Sequence, residues 1–161
     1  MQLRRRGRAT LLVAASVVLV ACGGPVEVDV PDLSRADREA CDAFAAELPD
    51  SLAEQDRVDI RPADAPAAAY GDPAIVVRCG VPTPEGFDLT ASCETANGVG
   101  YFIPDEQYDD QGLDLTLTAA GYVPRVEIII PAEYRPNAAP AVMSVLAPLI
   151  KDHFTLVDDC A

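Results

Sequence analysis

The residues that could perform acid–base or nucleophilic catalysis are few in this chain. His153 is the only histidine, so a site of the Ser-His-Asp or Cys-His type has one possible base. It falls at the end of a predicted helix, where the helix dipole favours a cation, and we interpret it as a capping or surface residue. The sequence therefore indicates no catalytic residue.

Carboxylates are abundant, with 26 Asp and Glu residues in 161. Paired carboxylates can hydrolyse glycosidic bonds, so a cell-wall hydrolase is an alternative hypothesis. So many acids form some close pairs by chance, however, and the chain has no Trp to stack on a sugar. The acidic run at 105–110 lacks the spacing of an EF-hand, and we expect a solvated loop there, with no metal and no cofactor.

Arg78 is a charge inside a predicted apolar strand, where an unpaired charge is costly. A carboxylate such as Asp72 or Glu127 could pair with it, or its side chain could reach solvent. Alternatively, Arg78 flanked by Tyr70 and Tyr101 could clamp a carboxylate ligand. The structural role is the favoured interpretation, and Tyr70, Arg78 and Tyr101 are the candidate ligand-binding residues.

The start of the chain has the layout of a secretory signal. Arginines crowd residues 4–8, an apolar stretch follows, and Leu-Val-Ala precedes Cys22. This ending resembles the lipobox of bacterial lipoproteins, in which the cysteine thiol receives a diacylglycerol and the preceding peptide bond is cut. The apolar stretch is shorter than the roughly 20 residues that span a bilayer. We therefore expect a signal peptide over 1–21 and a lipid anchor on Cys22 at the extracytoplasmic face of the cell membrane, with an ordinary signal peptide as the alternative.

Four further cysteines remain for the folded domain. An exported domain with an even number of cysteines is expected to form two disulfides, and four cysteines allow three pairings. Prolines and a glycine would turn the chain back between Cys79 and Cys93, which favours that pair. The remaining pair, Cys41 with Cys160, would join the N-terminal helix to the tail.

The charge balance limits the partners. Removing residues 1–21 takes away four arginines and no acid, which leaves 8 basic and 26 acidic residues and a net charge of −18. Nucleic acid is excluded as a partner, because its binding depends on basic residues that neutralise phosphates. Residues 22–33 are predicted to be a lipidated tether that reaches roughly 35 to 40 Å and lets the domain stand off the membrane. Alternating valines in this segment would also suit an edge strand.

The periodicity of the rest predicts one domain over 34–161. Ser34, with Asp37 three residues on, begins a helix that ends before Pro49. A second helix is expected over 141–150, with Val142, Val145, Leu146 and Leu149 inward and an end or kink at Pro148. Strands are predicted at 58–60, 74–81, 99–103, 113–118 and 126–130, with the last of these central, while 62–69 is predicted to be loop. Asn97-Gly98 signals a tight turn, and the tail at 154–157 could add a strand.

This order of elements predicts an α+β fold. We expect an antiparallel sheet of about four to five strands, with an N-terminal and a C-terminal helix packed on it and two disulfides.

Several blocks of the sequence resemble an actinobacterial lipoprotein family of unknown function, the domain of unknown function 3515 family. The resemblance is carried by the segment 69–82, by Cys93 with residues 97–99, by residues 126–131 with Tyr134, and by Cys41 before the end of the first helix. Family members usually have Trp at the positions of Tyr70 and Tyr101. The resemblance implies a secreted, lipid-anchored, disulfide-bonded envelope protein. It implies no particular activity, because none is assigned to the family.

We therefore expect an accessory or binding module in the cell envelope rather than an enzyme. Its partners would be the membrane, through the diacylglyceryl group, and an unknown envelope protein or small ligand. A wall-acting hydrolase and a purely structural lipoprotein are the other hypotheses.

Overall fold

The computed structural model describes residues 24–88 and 90–158. Cys22 and Cys160 lie outside the described residues. The helices are α1 Arg35–Glu47, α2 Asp105–Asp109 and α3 Arg135–His153, and a short 3-10 helix, Ala132–Tyr134, precedes α3. The strands are β1 Val26–Glu27, β2 Ser51–Leu52, β3 Gln55–Val58, β4 Ile60–Arg61, β5 Ala67–Tyr70, β6 Ile75–Val81, β7 Cys93–Ala96, β8 Val99–Phe102, β9 Leu115–Thr118, β10 Tyr122–Val123, β11 Arg125–Ile130 and β12 Thr155–Leu156.

One antiparallel sheet organises the fold. Its eight strands lie in the order β2-β3-β5-β6-β11-β9-β8-β7. The apolar strand β11 lies between β6 and β9 and is central, as predicted. The α+β class with an antiparallel sheet is therefore confirmed, whereas the predicted four to five strands are too few.

The largest omission is β5, since residues 62–69 were predicted to be loop. Ala67, Ala68, Ala69 and Tyr70 are all buried, and they pair with β3 on one side and β6 on the other. Alanine has a low intrinsic preference for strands. Here burial on both faces of the sheet outweighs this low preference, because the small alanine side chains let other segments pack closely on the sheet.

Helices α1 and α3 cover one face of this sheet, which we call the helix-covered face. Ser34 caps α1 by accepting a hydrogen bond from the Asp37 amide at 3.1 Å, as the sequence predicts. Cys41 and Phe44 on α1 are fully buried against the core side of β6 and against α3. The apolar positions at helical spacing thus correctly identify the buried face of α1.

The second helix is longer than predicted. α3 begins at Arg135 and continues through Pro140 and Pro148 to His153. Both prolines are on the exposed side, where carbonyls that lose an intrahelical partner can bond to water. Val142 and Leu146 face the core as expected, but Val145 is 45% exposed, so its predicted inward orientation is wrong.

The described disulfide differs from the preferred pairing. Cys41 of α1 is bonded to Cys79 of β6, with their Cα atoms 5.5 Å apart. Cys93 is also disulfide-bonded. The predicted pairs Cys79–Cys93 and Cys41–Cys160 are therefore wrong, because packing of α1 directly on β6 brings Cys41 to Cys79.

The face opposite the helices, which we call the open face, is covered in part by the start of the domain. β1 pairs with β4 in parallel, and Val28 is buried against Ala65 and Ala67. Of the two alternatives for the segment before α1, an edge strand is therefore found at Val26–Glu27.

The turn prediction at Asn97-Gly98 is confirmed. Both residues have positive φ values, 49° and 79°, and they join β7 to β8 as a two-residue hairpin loop. The tail also forms a short strand, β12, which pairs with β10. Among the described residues, no helix is both long enough and apolar enough to cross a membrane.

Candidate functional site

Alternation along the central strands puts a charged pair on the open face. On β6, Val77 and Cys79 point to the helix-covered face, so Arg78 between them points to the open face. Its Nε donates to Glu127 Oε1 at 2.6 Å, and Glu127 lies directly opposite on β11. The prediction that a carboxylate such as Glu127 pairs with Arg78 is confirmed.

The Arg78–Glu127 pair is only partly open to solvent. The two side chains are 25% and 14% exposed. Asp29 of the N-terminal segment is a second, more distant partner, at 3.9 Å from Arg78 Nη1. The charge of Arg78 is therefore already met within the protein, mainly by Glu127.

A groove lies beside this pair, over the half of the open face formed by β11, β9 and β8. Its volume is about 840 Å³. The loop that follows β6 forms one wall, and the start of α2 forms another. The residues along the groove include Pro84, Glu85, Gly86, Asp88, Thr90, Ala91, Ser92, Phe102, Pro104, Asp105, Glu106, Thr116 and Glu127.

The chemistry of the groove is strongly acidic. Five of these side chains are carboxylates, and none is a lysine, arginine or histidine. Its apolar lining is Pro84, Ala91, Pro104 and the buried Phe102, whose ring packs edge-on against Phe87 with centroids 5.6 Å apart. The groove can therefore accept hydrogen bonds and attract positive charge.

The wall formed by residues 84–88 and 90–92 has local order of its own. The Asp88 carboxylate accepts hydrogen bonds from the Thr90 amide and hydroxyl, both at 2.7 Å. These bonds lower the pKa of Asp88, the side-chain bond contributing most, since they favour the ionised form. Asp88 therefore adds a full negative charge to the groove at neutral pH.

Tyr70 and Tyr101 are not in the groove. Both are fully buried on the helix-covered face of the sheet, and each hydroxyl donates at 3.0 Å to a backbone carbonyl, of Pro49 for Tyr70 and of Met143 for Tyr101. Burial raises the pKa of both phenols. The structure thus separates Arg78 from the two tyrosines by the thickness of the sheet, and the three candidates do not form one site.

His153 is held in the packing between α3 and α1. Its Nε2 lies 3.3 Å from a Glu47 carboxylate oxygen, and its ring packs edge-on against Phe44. The imidazole lies in the last turn of α3, as predicted, but it is engaged with α1 and only 15% exposed, so it is not a surface residue.

The acidic segment before β9 is better ordered than predicted. Residues 105–109 form α2, and the buried Arg135 donates to the carbonyls of Gln107, Asp110 and Leu113. Arg135 therefore satisfies the carbonyls at the end of this short helix. Among the described residues, no group of three or more His, Cys, Asp or Glu side chains could hold a metal ion.

Sequence reasoning missed the groove, although it named Glu127, together with Asp72, as a possible partner for Arg78. Its walls come from residues 84–88, 90–92 and 104–106, which have no strand or helix periodicity to indicate where they lie. The acids at Glu85 and Asp88 beside Phe87, and the acidic run that contains Asp105 and Glu106, are the local signals.

Comparison with known proteins identifies a family but no activity. No curated protein and no solved structure matches this chain. A family model matches residues 8–155, which is most of the chain, and the protein therefore belongs to the family described as protein of unknown function DUF3515.

Proposed function

We propose that this protein is a lipid-anchored binding module of the cell envelope. It would be exported, processed before Cys22 and held by a diacylglyceryl group at the outer face of the cytoplasmic membrane. The lipobox-like ending of its apolar N-terminal stretch and its resemblance to actinobacterial lipoproteins support this proposal.

The observation that carries the proposal is the Cys41–Cys79 disulfide. It joins α1 to a central strand, and both cysteines are essentially inaccessible to solvent. Structural disulfides of this kind belong to oxidising compartments outside the cytoplasm. A disulfide-bonded domain directly after a secretory signal is consistent with an exported protein.

The acidic groove is the proposed binding surface. Its five carboxylates favour a cationic group, such as a basic segment of another envelope protein or a small amine. Glu127 is fixed by Arg78, so at least one of the five carboxylates is held in a defined position before a ligand arrives.

Anchoring is tested with labelled fatty acid in cells that produce the full chain. The wild type should incorporate the label and fractionate with membranes. The Cys22→Ala variant should lose both. A variant that remains in the membrane fraction without label would contradict the lipid anchor.

Binding through the groove is tested by crosslinking in intact cells, with two variants that change charge equally. Glu85→Gln with Glu106→Gln removes two groove acids, and Glu39→Gln with Asp152→Asn removes two exposed acids elsewhere. The groove variant should lose a crosslinked partner that the control retains. Equal capture of the partner by both variants would contradict binding through the groove. Degradation of a wall polymer by the purified protein would instead support the hydrolase hypothesis.

A further inference from the structure

The segment that follows Cys22 does not serve as a long spacer. The Val26 amide donates to the Asp59 carbonyl and the Val28 amide to the Arg61 carbonyl, both at 2.8 Å. Glu27 forms an ion pair with Arg61 at 3.0 Å. Residues 26–28 are therefore bound to β4 by its backbone and by a side chain.

The segment is also held by its apolar side chains. Val28 is buried with Ala65 and Ala67, next to Val76 of β6. Farther along, Leu33 lies over Gly80, so closely that a Cβ at Gly80 would come within 2.4 Å of a Leu33 methyl carbon. From Val26 to the start of α1, the chain is thus attached to the domain at two places.

These contacts shorten the tether to the membrane. Cys22 is four Cα-to-Cα steps from Val26, a span of at most about 15 Å. The same segment, if extended to residue 33, would reach more than twice as far. A lipid on Cys22 would therefore hold the edge around Val26 close to the headgroups, contrary to the expectation that the domain stands off the membrane.

The surface around that edge differs in charge from the rest of the domain. Two hollows of about 710 and 690 Å³ flank the start of β1. The charged residues that line them are Arg57, Arg61, Asp59 and Asp72, and Glu27, paired with Arg61, brings the net charge of this edge to −1. By contrast, residues 22–161 carry a net charge of −18 and the groove is lined by five carboxylates. Anionic headgroups would repel the groove side more strongly than this edge.

We propose that this edge, formed by Pro25, Arg57, Asp59, Arg61 and Asp72, is the surface that faces the phospholipid headgroups in the anchored protein. The proposal rests on the proposed lipid anchor and adds an orientation to it. β6 begins beside this edge and its seven residues extend roughly 20 Å. The loop after β6, which forms one wall of the groove, would then lie on the side away from the bilayer.

The test uses tryptophan fluorescence, because the chain has no Trp of its own. Asp59→Trp places the probe at the edge, and Thr83→Trp places it beyond the far end of β6, both at exposed positions. Each full-length variant, processed by the cell and purified from its membranes, is reconstituted into phosphatidylcholine–phosphatidylglycerol vesicles that carry a headgroup spin label. Asp59→Trp should lose most of its fluorescence and Thr83→Trp should keep most of it. Equal quenching of the two probes, or no quenching of either, would overturn the orientation.

A lengthened tether supplies the matched control. Inserting about twelve Gly/Ser residues after Gly23 should remove most of the difference between the two probes, because a flexible spacer of this length lets the domain turn freely. An undiminished difference would show that the tether does not set the orientation.

Failure of the anchor can be distinguished from failure of the orientation. If Cys22 carries no acyl chain, the proposed function is contradicted, and the purified protein is coupled through its Cys22 thiol to a maleimide phospholipid in the same vesicles. The two probes then still report whether a short tether presents this edge to the headgroups.

Discussion

The two faces of the central sheet have opposite characters. On the helix-covered face, neighbouring strands present Val77, Cys79 and Ile128 to helices α1 and α3, and all three residues are buried. On the open face, the intervening positions are Arg78, Glu127 and Ile129, and they are partly exposed. One set of strands therefore supports a dry core and a charged, accessible surface.

This difference separates stability from function. Burial of apolar area is the main source of folding free energy, so changes on the helix-covered face should be costly. Among the groove carboxylates on the open face, Glu85, Asp105 and Glu106 are exposed side chains, whereas Glu127 is paired with Arg78. Evolution can change such a surface at little cost in stability, which suits a binding site.

The sharpest test of this comparison uses two adjacent isoleucines of β11. Ile128→Ala should lower the free energy of unfolding by about 2 to 5 kcal/mol, because it leaves a cavity in the core. Ile129→Ala removes the same atoms from the open face and should cost about 1 kcal/mol. Urea denaturation of both variants measures the two values. Equal losses would contradict the contrast between the faces.

The disulfide should have the next largest effect. A Cys41→Ala, Cys79→Ala double variant should be less stable by about 2 to 4 kcal/mol, since the bond closes a long loop in the unfolded chain. The same denaturation experiment under non-reducing conditions detects the loss. A stability unchanged from that of the wild type would mean that α1 packing alone holds this region.

Removing a buried hydroxyl should have a smaller effect that depends on pH. Tyr101→Phe loses the hydrogen bond to the Met143 carbonyl, worth about 1 kcal/mol. In the wild type, burial raises the pKa of Tyr101 above its ordinary value of 10.0, so the folded state keeps a proton that the unfolded state releases. The contribution of the protonated Tyr101 phenol to the free energy of unfolding is complete below pH 10 and is lost as the pH rises above 10.

Stability measured at several values from pH 8 upward should therefore fall less steeply in Tyr101→Phe than in the wild type. Parallel curves would contradict a buried, protonated phenol on the helix-covered face.

The smallest effect on stability is expected for the groove acids. Glu85→Gln and Glu106→Gln should change the free energy of unfolding by no more than about 0.5 kcal/mol, because both side chains are exposed. Thermal melts of the two variants provide the measurement. A large destabilisation would show that the open face supports the fold after all.

Strongly periodic segments could be predicted from sequence, whereas close-packed or irregular ones could not. α1, β6 and β11 have the spacing of buried faces and clear end signals, and the structure confirms them. β5 has the composition of a loop, and only its position between β3 and β6 makes it a strand. A carboxylate partner for Arg78, such as Asp72 or Glu127, could be predicted because a buried charge needs a partner, but the register of β6 and β11 decides that it is Glu127. The separation of Arg78 from Tyr70 and Tyr101 depends on which side of each strand faces the helices, because the three residues lie on three different strands.

Features that depend on neighbouring residues follow from the sequence alone: the N-cap at Ser34, the hairpin at Asn97-Gly98 and the apolar strands of an antiparallel sheet. The tertiary structure alone decided which cysteines meet, that the segment after Cys22 lies on the sheet, and that loop residues enclose an acidic groove. The physical reason is that local conformational preferences act over a few residues. Contacts between distant segments depend on the packing of the whole chain, and several pairings can satisfy the same composition.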